Sequence, residues 1–143
     1  MSYATKQDLI DRFGEMELKQ LTDRVNTPPT TIDDTAVTRA LDDATGLADS
    51  YLGKQYALPL SVTPDRLIKV VADVARYYLH GKRADKDSPI ARAHDEALAW
   101  LKDVARGLVA LDAEGVVPAQ SGGGSVKAKP ADRVFTRDSL RDA

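Results

Sequence analysis

Cysteine is absent from the 143-residue chain. Disulfides, thiol nucleophiles and cysteine-ligated metals are therefore excluded, while the compartment stays open. Aromatic residues are scarce, at 6%, with a single tryptophan. No apolar run approaches the ~20 residues of a membrane-spanning helix. The opening MSYATKQDLIDRF lacks the apolar centre of a signal peptide. Neither a standard secretion signal nor a membrane anchor is expected. An excess of basic charge is also missing. The formal net charge is −2, so there is no global signal for nucleic acid. There is no P-loop, no dinucleotide-binding glycine fingerprint and no nucleophile elbow.

The residues that could carry chemistry are few. His80 and His94 are the only histidines, and neither lies in a metal-ligand spacing. His80 falls near a helix end, where the dipole favours a cation. The pairs Asp33-Asp34 and Asp42-Asp43 lack the glycine-centred pattern of a calcium loop and read as caps and a solvated helix face. With no convergent polar constellation, the chain is expected not to be an enzyme and to use no cofactor or metal.

What is present is helical patterning. The chain is 43% hydrophobic and 29% charged, as in an ordinary single globular domain. The best-specified stretch is Ser61–Lys82. Thr63 is the expected N-cap and Pro64 the first helical residue. Leu67, Ile68, Val71, Val74, Ala75 and Tyr78 recur at helical spacing, and Val70 and Leu79 widen the stripe. Gly81 is the expected stop. A stripe this wide needs partners on more than one side.

The neighbours supply them. Thr5 and Asp8 form a capping-box pattern ahead of a short helix from Lys6 to about Phe13, ended by Gly14. Glu15–Leu21 reads as a second short helix with Met16, Leu18 and Leu21 apolar. Asn26–Thr31 contains Pro28-Pro29 and reads as a loop. Asp33 or Asp34 caps a long helix ending near Leu52, with Gly53 after it. Tyr56, Leu58 and Leu60 alternate, which predicts an extended, half-buried connector. Ser88-Pro89 opens a third long helix with Ile90, Ala93, Ala97, Leu98, Leu101, Val104 and Ala105 apolar. Val109 and Leu111 suit a short extended piece. The expected fold is all-α: a small bundle of three long helices plus short N-terminal helices, with an extended C-terminal tail. Residues 1–115 form the helical domain.

Residues 116–143 change in composition, with Ser121–Ser125 and Pro118 and Pro130 giving linker chemistry. They close on Arg133-Val134-Phe135-Thr136-Arg137-Asp138-Ser139-Leu140. By its chemistry this segment is either an inert tail with incidental hydrophobes or a docking segment on a flexible leash. In the second case Arg133, Val134, Phe135, Arg137 and Leu140 bind the partner. Charge is uneven along the chain. Residues 1–60 carry 6 basic and 10 acidic side chains, and residues 116–143 carry 5 and 3. Arg66, Lys69, Arg76, Lys82, Arg83 and Lys86 are interleaved with Asp65, Asp73, Asp85 and Asp87, which reads as a mixed solvated surface.

Several stretches taken together resemble a family of phage and prophage proteins known from Mu-like phages. They are Tyr3-Ala4-Thr5 leading to Asp8–Gly14, Leu18–Arg24, Tyr51-Leu52 with Tyr56–Leu60, Asp73–Leu79, and Arg133–Leu140. The family resembles the small helical head–tail connector (adaptor, head-completion) proteins of long-tailed phages. The resemblance implies a structural subunit of the virion neck, at the head–tail interface, present in the host cytoplasm during assembly. It implies a homo-oligomeric ring of about twelve copies in the virion. Its partners would be the portal protein and a tail or neck protein, with no membrane. DNA would pass through the ring without sequence-specific binding, and there would be no catalysis. The Pro28-Pro29 loop departs from the acidic, glycine-containing loop of relatives, which argues against a calcium-like role there. The acidic N-terminal half suits either the wall of a DNA channel or a seat for the tail arginines of the next subunit. The alternatives are a small helical DNA-binding regulator, which would need a basic recognition helix, and an unrecognised enzyme.

The linker chemistry carries its own prediction. Limited trypsin digestion of the free protein should cut first at Lys127, because Pro130 blocks cleavage after Lys129. A first cut inside Ser61–Lys82 would contradict it.

Overall fold

The structure, a computed structural model, describes residues 2–111. Within them are five α-helices: α1 Lys6–Phe13, α2 Glu15–Thr22, α3 Asp34–Leu52, α4 Asp65–His80 and α5 Pro89–Ala105. No β-strand occurs among the described residues. The expected all-α bundle of three long helices and two short N-terminal ones is the observed architecture. The C-terminal tail, and the domain boundary placed at residue 115, lie outside the described residues.

Local chemistry starts most of the helices. The Thr5 hydroxyl accepts from the Asp8 amide at 3.2 Å, and the Asp8 carboxylate accepts from the Thr5 amide at 2.7 Å. This is a complete capping box. Asp33 accepts from the amides of Thr35 and Ala36 at 3.0 and 3.3 Å, and Ser88 accepts from Ala91 at 3.2 Å ahead of Pro89. Gly14, at φ +92°, ends α1 and at once precedes α2, a corner that favours glycine. Helix α4 begins one residue later than expected. Pro64, not Thr63, occupies its N-cap position, with no side-chain cap. The ψ of Pro64 is extended, at 147°, and its carbonyl closes the first turn by accepting from Leu67 and Ile68 at 2.9 and 3.1 Å. Gly81 stops α4 at φ +53°, and a 3₁₀ turn over Gly81–Arg83 follows.

Helix α4 is the centre of the bundle. It packs chiefly against α3 and α5, and the α1–α2 pair covers a further side. Val71, Ala72, Val74 and Ala75 are each 0% exposed, so its middle is enclosed all round rather than along one stripe. The same run contains Asp73, which the sequence reading places on a solvated face. It is only 7% exposed, and its carboxylate is paired with Lys69 one turn earlier at 2.7 Å. That lysine reaches from the bundle rim over an apolar stem.

Three further expectations are corrected. Met16 is 60% exposed, so only Leu18 and Leu21 anchor α2. On α5 Ala91 is buried, and Ile90 lies only at the margin. The connector after Gly53 is not extended at its start. Gln55 and Tyr56 both donate to the Leu52 carbonyl, so the chain turns on itself, and Leu58 is left 40% exposed. Tyr56 and Leu60 do pack on the core.

The ends of the described chain are tied to this bundle. The Ser2 hydroxyl meets the Thr45 hydroxyl at 2.9 Å, and the Tyr3 amide donates to that same Thr45 oxygen at 3.2 Å. The Tyr3 phenol donates to Asp49. Burial, followed by this contact with Asp49, holds the Tyr3 phenol well above its ordinary pKa. At the other end the Leu111 amide donates to the Tyr56 phenol oxygen at 2.8 Å.

Two substitutions test the core. Val74→Asp should abolish the cooperative thermal transition, because an unpaired buried charge costs several kcal/mol. Leu101→Ala, at another fully buried position, should retain the fold but lose roughly 2–5 kcal/mol in urea unfolding. Wild-type melting of Val74→Asp would mean that Val74 is not core.

Candidate functional site

The basic residues of the central stretch do not gather into one patch. The Arg76 guanidinium grips the Glu17 carboxylate, with Nη2 at 2.6 Å from Oε1 and Nε at 3.2 Å from both oxygens. It also lies over the Phe13 ring, 4.3 Å from the centroid. This clamp joins α4 to the α1–α2 pair. Lys69 is occupied by Asp73, and Arg66 lies 6.0 Å from the centroid of Trp100. Lys82, Arg83 and Lys86 stay exposed around the 3₁₀ turn.

The two histidines are also absorbed by packing. His80 places Nε2 3.6 Å from Glu17, beyond hydrogen-bond reach, where it is buried without a hydrogen-bond partner. The His94 ring stacks on Tyr77 at 3.9 Å with planes 17° apart.

A concavity lies at the C-terminal end of α4. It is a cleft of about 480 Å³ between the end of α2, the loop after it, the first half of α3, and Tyr78 and Leu79. Its apolar wall includes Leu21, Ala36, Ala40 and Leu79. At its rim Val25 is 91% exposed and Tyr78 37% exposed. Asp33 and Asp43 line it, as do Arg24 and Arg39. The Tyr78 phenol is held above its ordinary pKa, first by burial and then by the negative charge of Asp43.

Asp23 builds one wall of this cleft. One carboxylate oxygen accepts from the amides of Val25 and Asn26, both at 3.0 Å. The other accepts from the Asn26 side chain, the amides of Thr30 and Thr31, and the Thr31 hydroxyl, all at 2.9–3.1 Å. The residue at the end of α2 thus folds the proline loop around itself and leads the chain into α3. The adjacent Thr22 hydroxyl accepts from Asp33, the α3 cap, at 3.0 Å. These donors, led by the amide and side chain of Asn26, hold the Asp23 carboxyl far below the usual carboxylate range. The sequence reading identified the loop from its prolines and missed Asp23. An aspartate directly after a helix and followed by Asn and Thr donors was the available signal.

The partner-binding residues expected from the sequence, Arg133, Val134, Phe135, Arg137 and Leu140, lie outside the described residues.

The Asp23 hub has a measurable pH signature. A lowered carboxyl pKa contributes stability that is present above the ordinary value near 4 and is lost as pH falls below it. Loop protection should therefore persist at pH 5 and fade only in strong acid. Asp23→Ala should accelerate amide exchange of Val25, Asn26, Thr30 and Thr31 at least several-fold at neutral pH, while the α4 amides stay protected. Unchanged exchange at those four amides would show that Asp23 does not hold the loop.

Comparison with known proteins places this chain in a family. Residues 3–128 match the family described as Bacteriophage Mu, Gp36. The chain is similar to the Mu-like prophage FluMu protein gp36 of Haemophilus influenzae, with 32% identity over 109 residues, 76% of this chain and 74% of that protein. It is also similar to Gene product J of Escherichia phage Mu, with 34% identity over 107 residues, 75% of this chain and 74% of that protein. The chain therefore belongs to the Bacteriophage Mu Gp36 family.

Proposed function

We propose that the chain is a structural head–tail connector, an adaptor subunit that assembles into a ring between the portal and the tail and continues the DNA channel. The observation that carries this reading is membership of a phage Mu family, and the exposed apolar side chains of the described domain are compatible with it. Met16, Val25, Leu58, Val62 and Leu108 are exposed by 40–91% at sites spread over several faces of the domain. In the ring that this reading describes, some of these side chains would become buried between copies. The pairing of Arg76 and Lys69 with carboxylates weighs against the DNA-binding regulator, because those cations are already neutralised.

In this role the helical domain supplies a stiff building block and the tail joins it to a neighbour or a neck protein. Native mass spectrometry of the protein alone and mixed with its portal should show a ring-sized assembly in the mixture. Deleting residues 131–143 should leave the thermal midpoint of the monomer nearly unchanged and weaken that assembly. A protein that never joins its portal, and instead shifts DNA in a salt-dependent way, would overturn the connector reading.

A further inference from the structure

We propose that the cleft between Leu21 and Tyr78 is the seat of the Arg133–Leu140 segment of a second copy of this chain, with Phe135 as the apolar anchor. The inference deepens the connector reading and rests on it for the ring that such contacts would build.

Shape comes first. The cleft, at about 480 Å³, has room for one aromatic side chain and its neighbours. Leu21, Ala36, Ala40 and Leu79 form an apolar floor, and Val25 and Tyr78 stand exposed at the rim. Phe135 is the only aromatic residue in 112–143. Aromatic and arginine side chains dominate the energetics of such seats.

Charge selects the same occupant. Asp33 and Asp43 line the cleft, and Asp34 and Asp42 stand on the adjoining exposed face of α3. Arg39 is the only cation on α3. The Asp23 carboxylate is consumed by its own loop, Asp33 caps α3 and Asp34 is paired with Lys6, so Asp43 and the adjoining Asp42 are the anions left for a ligand. The segment places Arg133 and Arg137 two residues to either side of Phe135. One aromatic side chain flanked by two guanidinium groups suits an apolar floor of mixed border, with Asp43 and the adjoining Asp42 as the carboxylates for the two arginines. Arg24 and Arg39 at the cleft can in turn meet Asp138.

Polarity argues for a second copy. Leu111 lies beside Pro64 and Asp65, at the N-terminal end of α4, whereas the cleft opens at its C-terminal end. The 16 residues of α4 separate the two by about 24 Å. The chain thus leaves one end of the domain and is received at the other, which is the head-to-tail arrangement that closes into rings. Residues 112–132 can extend to about 70 Å, enough to reach the cleft of the same copy or of a neighbour, and it is the ring of the connector reading that selects the neighbour.

The chain has no cysteine, so an introduced thiol is unique. Full-length Val134→Cys is activated as a mixed disulfide with thionitrobenzoate and mixed with full-length Val25→Cys. The Val25→Cys thiolate attacks the Val134→Cys sulfur, a disulfide joins the two copies, and thionitrobenzoate leaves as the measured chromophore. Release should be several-fold faster than with Lys102→Cys, an exposed thiol on α5 away from the cleft. Adding Phe135→Ala to the activated chain, or Asp43→Lys to its partner, should bring the rate down to that of the Lys102→Cys control. Equal rates for Val25→Cys and Lys102→Cys would overturn the proposal. So would a Val25→Cys, Val134→Cys double variant that on oxidation forms only internally linked monomers. Selective exchange by a protein that joins no portal would leave the docking intact and remove the connector reading. Portal-joined rings in which Phe135→Ala exchanges as fast as the parent would do the reverse.

Discussion

Enclosure of α4 is the constraint on which the rest of the structure depends. A helix whose middle turns are buried on every side cannot be stabilised by one partner. Between Leu67 and Ala75 the sequence supplies mostly small or β-branched side chains, with Val70, Val71, Ala72, Val74 and Ala75 all at 2% exposure or less. Small residues let α3 and α5 approach closely on two sides. The short α1–α2 pair then closes a further side, and the Arg76–Glu17–Phe13 clamp fixes its position. Arginine suits this junction because its planar fork meets a carboxylate along one edge while its face lies on a ring.

Polar groups do the positioning that apolar packing cannot. The hydrophobic effect is non-directional, so it does not choose how a loop enters a helix. Asp23 does so by collecting the donors of the loop, and Thr22 and Asp33 carry the chain from there into α3. Thr45 and Asp49 do the same for the N-terminal segment. Each device joins a helix end or a strap to α3. That helix is therefore both a wall of the core and the frame of the cleft. An acidic outer face on such a frame costs the fold little, because Asp34, Asp42 and Asp43 remain in water.

Function in a protein of this kind is a matter of surfaces. The described domain devotes its arginine–carboxylate pair and its stacked histidine to internal packing. What the described residues leave on the outside includes exposed apolar side chains, an acidic helix face, the basic 3₁₀ turn and the cleft beside Asp23. Under the proposed connector role, those are the surfaces available for contact with other proteins.

The sequence by itself determined the helix count, the all-α class and most helix ends. Caps, glycine stops and 3.6-residue periodicity act within a few residues of the chain, so Thr5, Asp33, Ser88 and Gly14 were legible without a fold. The family resemblance was legible in the same way, from short runs in order. Only the tertiary structure decided the burial of Ala72 and Asp73, the exposure of Met16 and the shift of the α5 face to Ala91. Each depends on how many neighbours surround a helix, and periodicity along one chain does not encode that number. The cleft was illegible for the same reason. Leu21, Asp43 and Tyr78 are far apart in sequence and meet only because α4, enclosed on all sides, brings its C-terminal end against the start of α3.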